Sequence, residues 1–391
     1  MIKHTIMQKK INTANLTALL PLLFSFFVMG FVDVVGIATS YVKQDFSLND
    51  KLANLLPMMV FLWFAVCSLP TGILMGKIGR KKTVLISAAV TSVGMIIPLI
   101  DYSFVTVLIA FALLGIGNTI LQVSLNPLLT NVVSKDKITS MLTLGQFIKA
   151  ICSFLGPVLV SFAAGTLGNW KLIFPTYALL TVLSFIWLVF TPIKEEVSPV
   201  EQNEEGKIVS LLKDKYLLAL FSVIVLIVGF EIGLMTAVPK YLQEHFALPL
   251  EKGALGCSLY YIARTIGTFA GSILLAKVSS RKFFITSMII AVVSFVVFMF
   301  VGESWLVFVS LFMIGLSCAN VFPIVFSDAL QSDQSKVNEI SALMIMGVAG
   351  GALIPPVMGT IADMTNQFTS LFVLLVILSY MLFTAAFVIK K

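Results

Sequence analysis

Four ionisable side chains stand near the middle of long apolar runs: Asp33, Lys149, Glu231 and Arg264. At the centre of a bilayer each costs roughly 2.5–3.5 kcal/mol even on lenient insertion scales. Two acids and two bases can offset that cost by pairing, and the economical arrangement sets Asp33 with Lys149 and Glu231 with Arg264, both facing a water-filled cavity. Carboxylates at such depth are expected to move protons or hold ligands, which makes Asp33 and Glu231 the candidate proton carriers. The plain alternative is that the pairs only fix helix packing, for buried ion pairs are weak stabilisers.

Polar neighbours favour the cavity. Asn118, Gln122 and Asn126 recur every fourth residue and so form one stripe on a helix, with Pro127 following. Thr143, Gln146, Lys149 and Ser153 line a second face, and Ser317 with Asn320 a third. Side-chain amides there can donate to and accept from ligand hydroxyls, or bond neighbouring helices at ~0.6 kcal/mol each. Trp63 and Tyr260, the latter beside Tyr261 and one turn before Arg264, offer flat faces and polar tips to a ligand ring, with core packing as the competing role. The candidate substrate-contacting set is Gln122, Asn126, Gln146, Lys149, Glu231, Arg264, Asn320, Tyr260 and Trp63. Gly347, Gly350 and Gly351 ahead of Pro355 and Pro356 predict a locally broken helix able to gate.

The elements that must position these groups are membrane-spanning helices. Hydrophobic residues make up 59% of 391 and charged residues 12%, with mean hydropathy +1.03, too little polar surface to cover a soluble globule. Twelve runs long enough to cross ~30 Å of hydrocarbon lie at 16–42, 53–76, 82–100, 104–130, 139–166, 170–192, 216–242, 253–276, 283–302, 304–330, 338–362 and 367–389. Strand alternation is absent, so an all-α integral membrane fold is expected instead of a barrel. The charged, Pro-containing stretch 194–215 divides the chain into a first bundle of six segments at 1–193 and a second at 216–391, joined by a cytoplasmic linker.

Lys and Arg gather in alternate loops, as the positive-inside rule requires. Only Lys43, Lys51, Lys171, Lys240 and Lys252 fall on the outer side, and the other loop and terminal basic residues fall on the inner side. Both termini are therefore expected in the cytoplasm of a cell with a bacterial-type inner membrane. The polar, basic first fifteen residues read as a retained tail, without a cleaved signal. The formal charge of +7 is dispersed among loops, so a nucleic-acid partner is not expected. Cys67, Cys152, Cys257 and Cys318 lie in apolar segments without metal-ligand spacing, and neither disulfides nor a metal is expected.

An internal repeat supports the division. GILMGKIGRKK at Gly72 to Lys82 returns as GSILLAKVSSRK at Gly271 to Lys282, so that Lys77, Lys81 and Lys82 recur as Lys277, Arg281 and Lys282. Gly115 recurs as Gly315, and LGPVL at 155–159 resembles IPPVM at 354–358. Two parallel six-helix halves with a site between them are a transporter architecture. The basic loop residues Lys77, Arg80 and Lys81, framed by Gly72 and Gly79, are expected at the cytoplasmic surface, setting topology and meeting anionic lipid.

On these residues the chain resembles the major facilitator superfamily, whose segment 2–3 signature GILMGKIGRKK matches except for Gly76 where an Asp is usual. More narrowly, VGFEIG, ARTIGTFAGS, NVFPIVFS and MGVAGGALIPPVMGTIAD are similar to the fucose/galactose/glucose:proton symporter family. The resemblance implies twelve helices in two pseudo-symmetric bundles and inward, proton-coupled carriage of a monosaccharide, with the proton as coupling ion and no other cofactor. The carrier is expected to work as a monomer with the bilayer as its surroundings. Glu231, Arg264 and Asn126-Pro127 match family positions. Gln122 stands where some members have an acid, the family's segment 1 acid aligns nearer Ile37 than Asp33, and Lys149 replaces an Asn three residues after Gln146. Those departures leave open an uncoupled facilitator, or a carrier of a sugar acid or other organic anion bound by Lys149 and Arg264. An integral-membrane enzyme would need a nucleophile and base, and His4 in the tail and His245 near an outer helix end cannot share one site. A sensor would need a sizeable soluble domain, which the sequence lacks.

Overall fold

The computed structural model describes residues 17–48, 52, 55–195, 211, 213–247 and 250–389. Among them there are long helices and short 3₁₀ turns but no strand. Helix α1 runs from residue 17 to Asp45 and is interrupted by a 3₁₀ turn at Gly30–Val34. It is followed by α2 (Leu55–Ile78), α3 (Arg80–Ile100), α4 (Phe104–Thr130), α5 (Ile138–Thr166) and α6 (Ile173–Phe190). Then come α7 (Lys215–Phe246), α8 (Leu250–Leu274), α9 (Ser280–Phe300), and α10 in two pieces, Ser304–Cys318 and Val321–Ser332. Helix α11 comprises Val337–Met346, a 3₁₀ stretch Gly347–Ala352 and Ile354–Met364, and α12 is Gln367–Phe387. These are the twelve expected segments to within a few residues. Eleven are long and apolar enough to cross a membrane, and in α8 Arg264 with a run of Gly, Ser and Thr holds the hydropathy down. Most of the linker at 194–215, the first fifteen residues and the last two lie outside the described residues.

The chain forms two compact units. The first comprises described residues within 1–138, 148–205 and 335–346, and the second those within 139–147, 206–334 and 347–391. Stretch 335–346 therefore packs with the first six helices, and 139–147 with helices of the second sequence half.

In the first unit, small residues let backbones approach, which is how helices associate where lipid is as apolar as their own side chains. A Cβ on Gly30 of α1 would collide with the Lys149 carbonyl and Cys152 of α5, and about one turn further along α1 Val34 meets Gly156. Helices α1 and α5 thus run side by side in the same direction. At the end of α1 away from the basic loops, Asp45 Oδ2 accepts from Tyr102 Oη at 2.6 Å and Trp170 Nε1 at 3.0 Å, with Lys171 Nζ 3.9 Å away. Tyr41 stacks on Trp170 and Phe46 on Tyr102, closing an aromatic cap over the α1, α3–α4 and α5–α6 ends.

In the second unit the break in α11 follows from its glycines. A Cβ on Gly350 would strike the Val225 carbonyl of α7, so the two backbones touch where the helix narrows to 3₁₀. Pro355 and Pro356 then occupy the first turn of Ile354–Met364, where a missing N–H costs nothing. The internal repeat is visible in the capping of each last helix. Lys81 Nζ donates to the Val189 and Thr191 carbonyls at the end of α6, and its counterpart Arg281 donates through Nη2 to the Ala386 carbonyl at the end of α12.

Candidate functional site

Asp33 sits in the 3₁₀ turn of α1, exposed, with Ser153 Oγ donating to its Oδ2 at 2.5 Å. The expected pair with Lys149 is not formed: among the described residues no cation lies within ion-pair distance of Asp33. The register of parallel α1 and α5 explains this. Gly30 lies against the backbone of Lys149, so three residues further on Asp33 meets Ser153, four residues beyond the lysine. Lys149 is left half-buried, with no ion-pair partner among the described residues.

The stripe on α4 is largely occupied with itself. Asn118 Nδ2 donates to the Met29 carbonyl of α1 at 2.9 Å, Gln122 Nε2 to Asn118 Oδ1 at 2.7 Å, and Asn126 Nδ2 to the Gln122 carbonyl at 2.8 Å. All three amides are buried. Asn126 Oδ1 remains without a partner, as does Trp63 Nε1 on α2, and such atoms need an explanation beyond packing. Gln146 and Lys149 are half-buried on α5, Gln146 belonging to the second unit and Lys149 to the first.

In the second unit the other expected pair is present. Arg264 Nε lies 2.9 Å from Glu231 Oε1, and Tyr260 Oη donates to the same oxygen at 3.1 Å. Tyr260 and Arg264 are four residues apart on α8, so both project from one face toward the carboxylate. The guanidinium side chain keeps 34% of its surface exposed while the carboxylate keeps 10%, which leaves the arginine the more accessible member. Tyr260 is fully enclosed, so its hydroxyl and not its ring face is placed to act. Asn320 lies at the break between the two pieces of α10. Its Nδ2 donates to the Gly267 carbonyl of α8 at 2.8 Å, and its buried Oδ1 has no partner.

The three interruptions within otherwise regular helices among the described residues thus fall at candidate residues: at Asp33, at Asn320, and in α11 at Gly350 and Gly351. Mid-helix 3₁₀ turns and unwound segments at depth commonly mark hinges and binding sites. The sequence signalled the glycine-rich break but gave no sign of the turn at Gly30–Val34.

The basic loop is more than a surface feature. Gly79 has φ +90°, and a Cβ there would stand 2.7 Å from Glu195 Oε2. That carboxylate accepts from the backbone N–H of Arg80 at 2.6 Å and of Lys81 at 2.7 Å, capping the start of α3. Arg80 itself turns inward, donating to Asn338 Oδ1 at 2.8 Å, the Pro127 carbonyl at 3.1 Å and Asn131 Oδ1. Gly72 allows α2 to approach Ala342 and Asn338. The expectation of lipid contact does not suit Arg80 and Lys81, whose donors are spent on protein carbonyls and amides, whereas Lys77 and Lys82 are exposed. Glu195, Asn131 and Asn338 carried no recognisable signal in the sequence, since each partner lies far along the chain.

Long apolar helices in a repeated six-plus-six order, with ionisable residues set within them and Asp33 at a helix break, define a multi-pass membrane carrier. The Major Facilitator Superfamily model matches residues 22–332 and 231–391, and the chain belongs to that superfamily. It is a transporter and not an enzyme. A glucose/galactose transporter of Brucella abortus is 26% identical over 367 residues, 88% of each chain. A hexuronate transporter of Bacillus subtilis is 22% identical over 396 residues, covering 91% of this chain and 90% of that one. The crystal structure of the E. coli fucose:proton symporter FucP superposes with a TM-score of 0.83 at 16% identity, covering 97% of this chain and 100% of the other.

Proposed function

We propose that this transporter carries a monosaccharide of the fucose, glucose or galactose type inward across the cytoplasmic membrane by alternating access, coupled to a proton. The observation that carries the reading is Glu231, enclosed at mid-helix and held by Arg264 and Tyr260. A carboxylate with one oxygen engaged by a cation and a phenol, beside a partly exposed guanidinium, is suited to grip sugar hydroxyls from both signs of charge. Relatives with glucose/galactose names at 26% identity support the sugar class. Asn126 and Asn320, each with an unsatisfied buried carbonyl oxygen, are further acceptors for hydroxyls. Asp33 is the better proton carrier of the two acids: it is exposed, receives a hydroxyl from Ser153, and can gain a proton without breaking an ion pair among the described residues.

A second reading rests on Lys149. Half-buried Lys149 has no ion-pair partner among the described residues, which suits the carboxylate of a sugar acid, and the hexuronate transporter is among the relatives. Uptake into proteoliposomes of labelled D-glucose, D-galactose, L-fucose and D-glucuronate separates the two. The first reading expects a neutral hexose to be taken up by wild type and Lys149→Gln alike. Uptake confined to the glucuronate and abolished by Lys149→Gln overturns it in favour of the second.

A further inference from the structure

Within the second unit a cavity of about 550 Å³ lies between α7 and α11, at the end bearing the α11–α12 loop. One wall is a stripe on α7: Thr236, Lys240 and Glu244 recur every fourth residue and all are exposed. The facing wall is apolar, formed by Pro355, Met358, Gly359 and Ala362 of α11. Asn366 and Gln367 close the loop end, each with part of its amide spent locally, on Thr369 and Ser370 respectively. Neither Lys240 nor Glu244 has an ion-pair partner among the described residues.

We infer that this cavity is a separate outer staging site for a neutral, hydroxyl-rich ligand, which on the reading above is the transported sugar before it reaches Glu231. Its size is that of small-molecule pockets. The ammonium, carboxylate and threonine hydroxyl of the α7 wall, with the amides at the loop end, satisfy hydroxyl groups of either polarity, and the apolar wall takes the C–H face of a ring. With one cation and one anion on the same wall the cavity carries no net charge, so it holds no overall electrostatic preference for an anion or a cation over a neutral ligand. The site is distinct from Glu231 yet continuous with its helix. Thr236 lies five residues, about 7.5 Å, beyond Glu231, and Met358 of the apolar wall packs against Gly233.

Gly359 gives a direct probe, because a Cβ there meets nothing within 4 Å and so points into open space. In Gly359→Cys, reaction with a charged, membrane-impermeant thiosulfonate is timed with and without D-glucose or D-galactose, and wild type, whose Cys67 and Cys257 are half-buried, sets the background. Sugar at ten times its Kd is expected to slow labelling about tenfold by occupancy. The slowing is expected to survive Glu231→Gln and to vanish in Lys240→Gln/Glu244→Gln. Ala362→Cys, one turn along, reports the same cavity if Gly359→Cys reduces yield. Unslowed labelling in a protein that still takes up the sugar overturns the staging site alone, as does protection that follows Glu231→Gln and ignores the Lys240/Glu244 pair. Failure of wild type to take up either sugar overturns the transport reading beneath it.

Discussion

Glu231 accepts from both Arg264 and Tyr260, so the cost of losing any one partner falls on the others. Removing one member of a buried pair while leaving its partner uncompensated costs about 3–5 kcal/mol, and here the arginine's exposure moderates it. Arg264→Gln is therefore expected to lower stability by about 3 kcal/mol, with Glu231→Gln/Arg264→Gln recovering part of it, measured as melting temperature in detergent; neither variant is expected to transport. Equal stability of Arg264→Gln and wild type would contradict the pairing. Outside the spans, burial and then the hydrogen bond to Asp45 push the Tyr102 phenol up from its ordinary value. A raised value favours the protonated folded form, so its contribution is complete below about pH 10, the unfolded value, and falls as pH rises beyond it. Wild type is expected to lose melting temperature more steeply above pH 10 than Tyr102→Phe does, and parallel curves would refute this.

At the scale of elements, two glycines of α11 make opposite demands. Gly350 touches the backbone of α7, whereas Gly359 faces open space. Gly350→Ala is expected to cost about 1–3 kcal/mol as overpacking, while Gly359→Ala stays within ~1 kcal/mol of wild type; thermal shift with purified yield checks both. Gly79→Ala combines a positive φ with crowding of Glu195, and a loss of about 1–2 kcal/mol is expected. Helix boundaries were legible because apolar runs and basic loops state them directly, and Glu231 with Arg264 was legible because two opposite charges had to be reconciled in lipid. The Asp33–Lys149 pair was misjudged for a reason of register. A contact at Gly30 moves the acid one turn along α5 to Ser153, and no local pattern encodes which residues of two helices come level. Arg80 was misjudged similarly, its partners Asn131, Asn338 and Glu195 being distant in sequence.

For the whole molecule, the repeat explains why Lys81 and Arg281 cap α6 and α12 in the same manner, while the acids of the two halves depart from it. Glu231 is enclosed with a cation while Asp33 is open with only Ser153 beside it, and on the proposal above the first would bind sugar and the second would carry the proton. Proteoliposomes loaded with a pH-sensitive dye test that assignment most directly. Addition of a transported neutral hexose outside, with no imposed gradient, is expected to acidify the lumen in wild type and to lose that signal in Asp33→Asn, which still exchanges sugar across the membrane. Sugar entry in wild type without any proton movement would contradict the account and leave a facilitator.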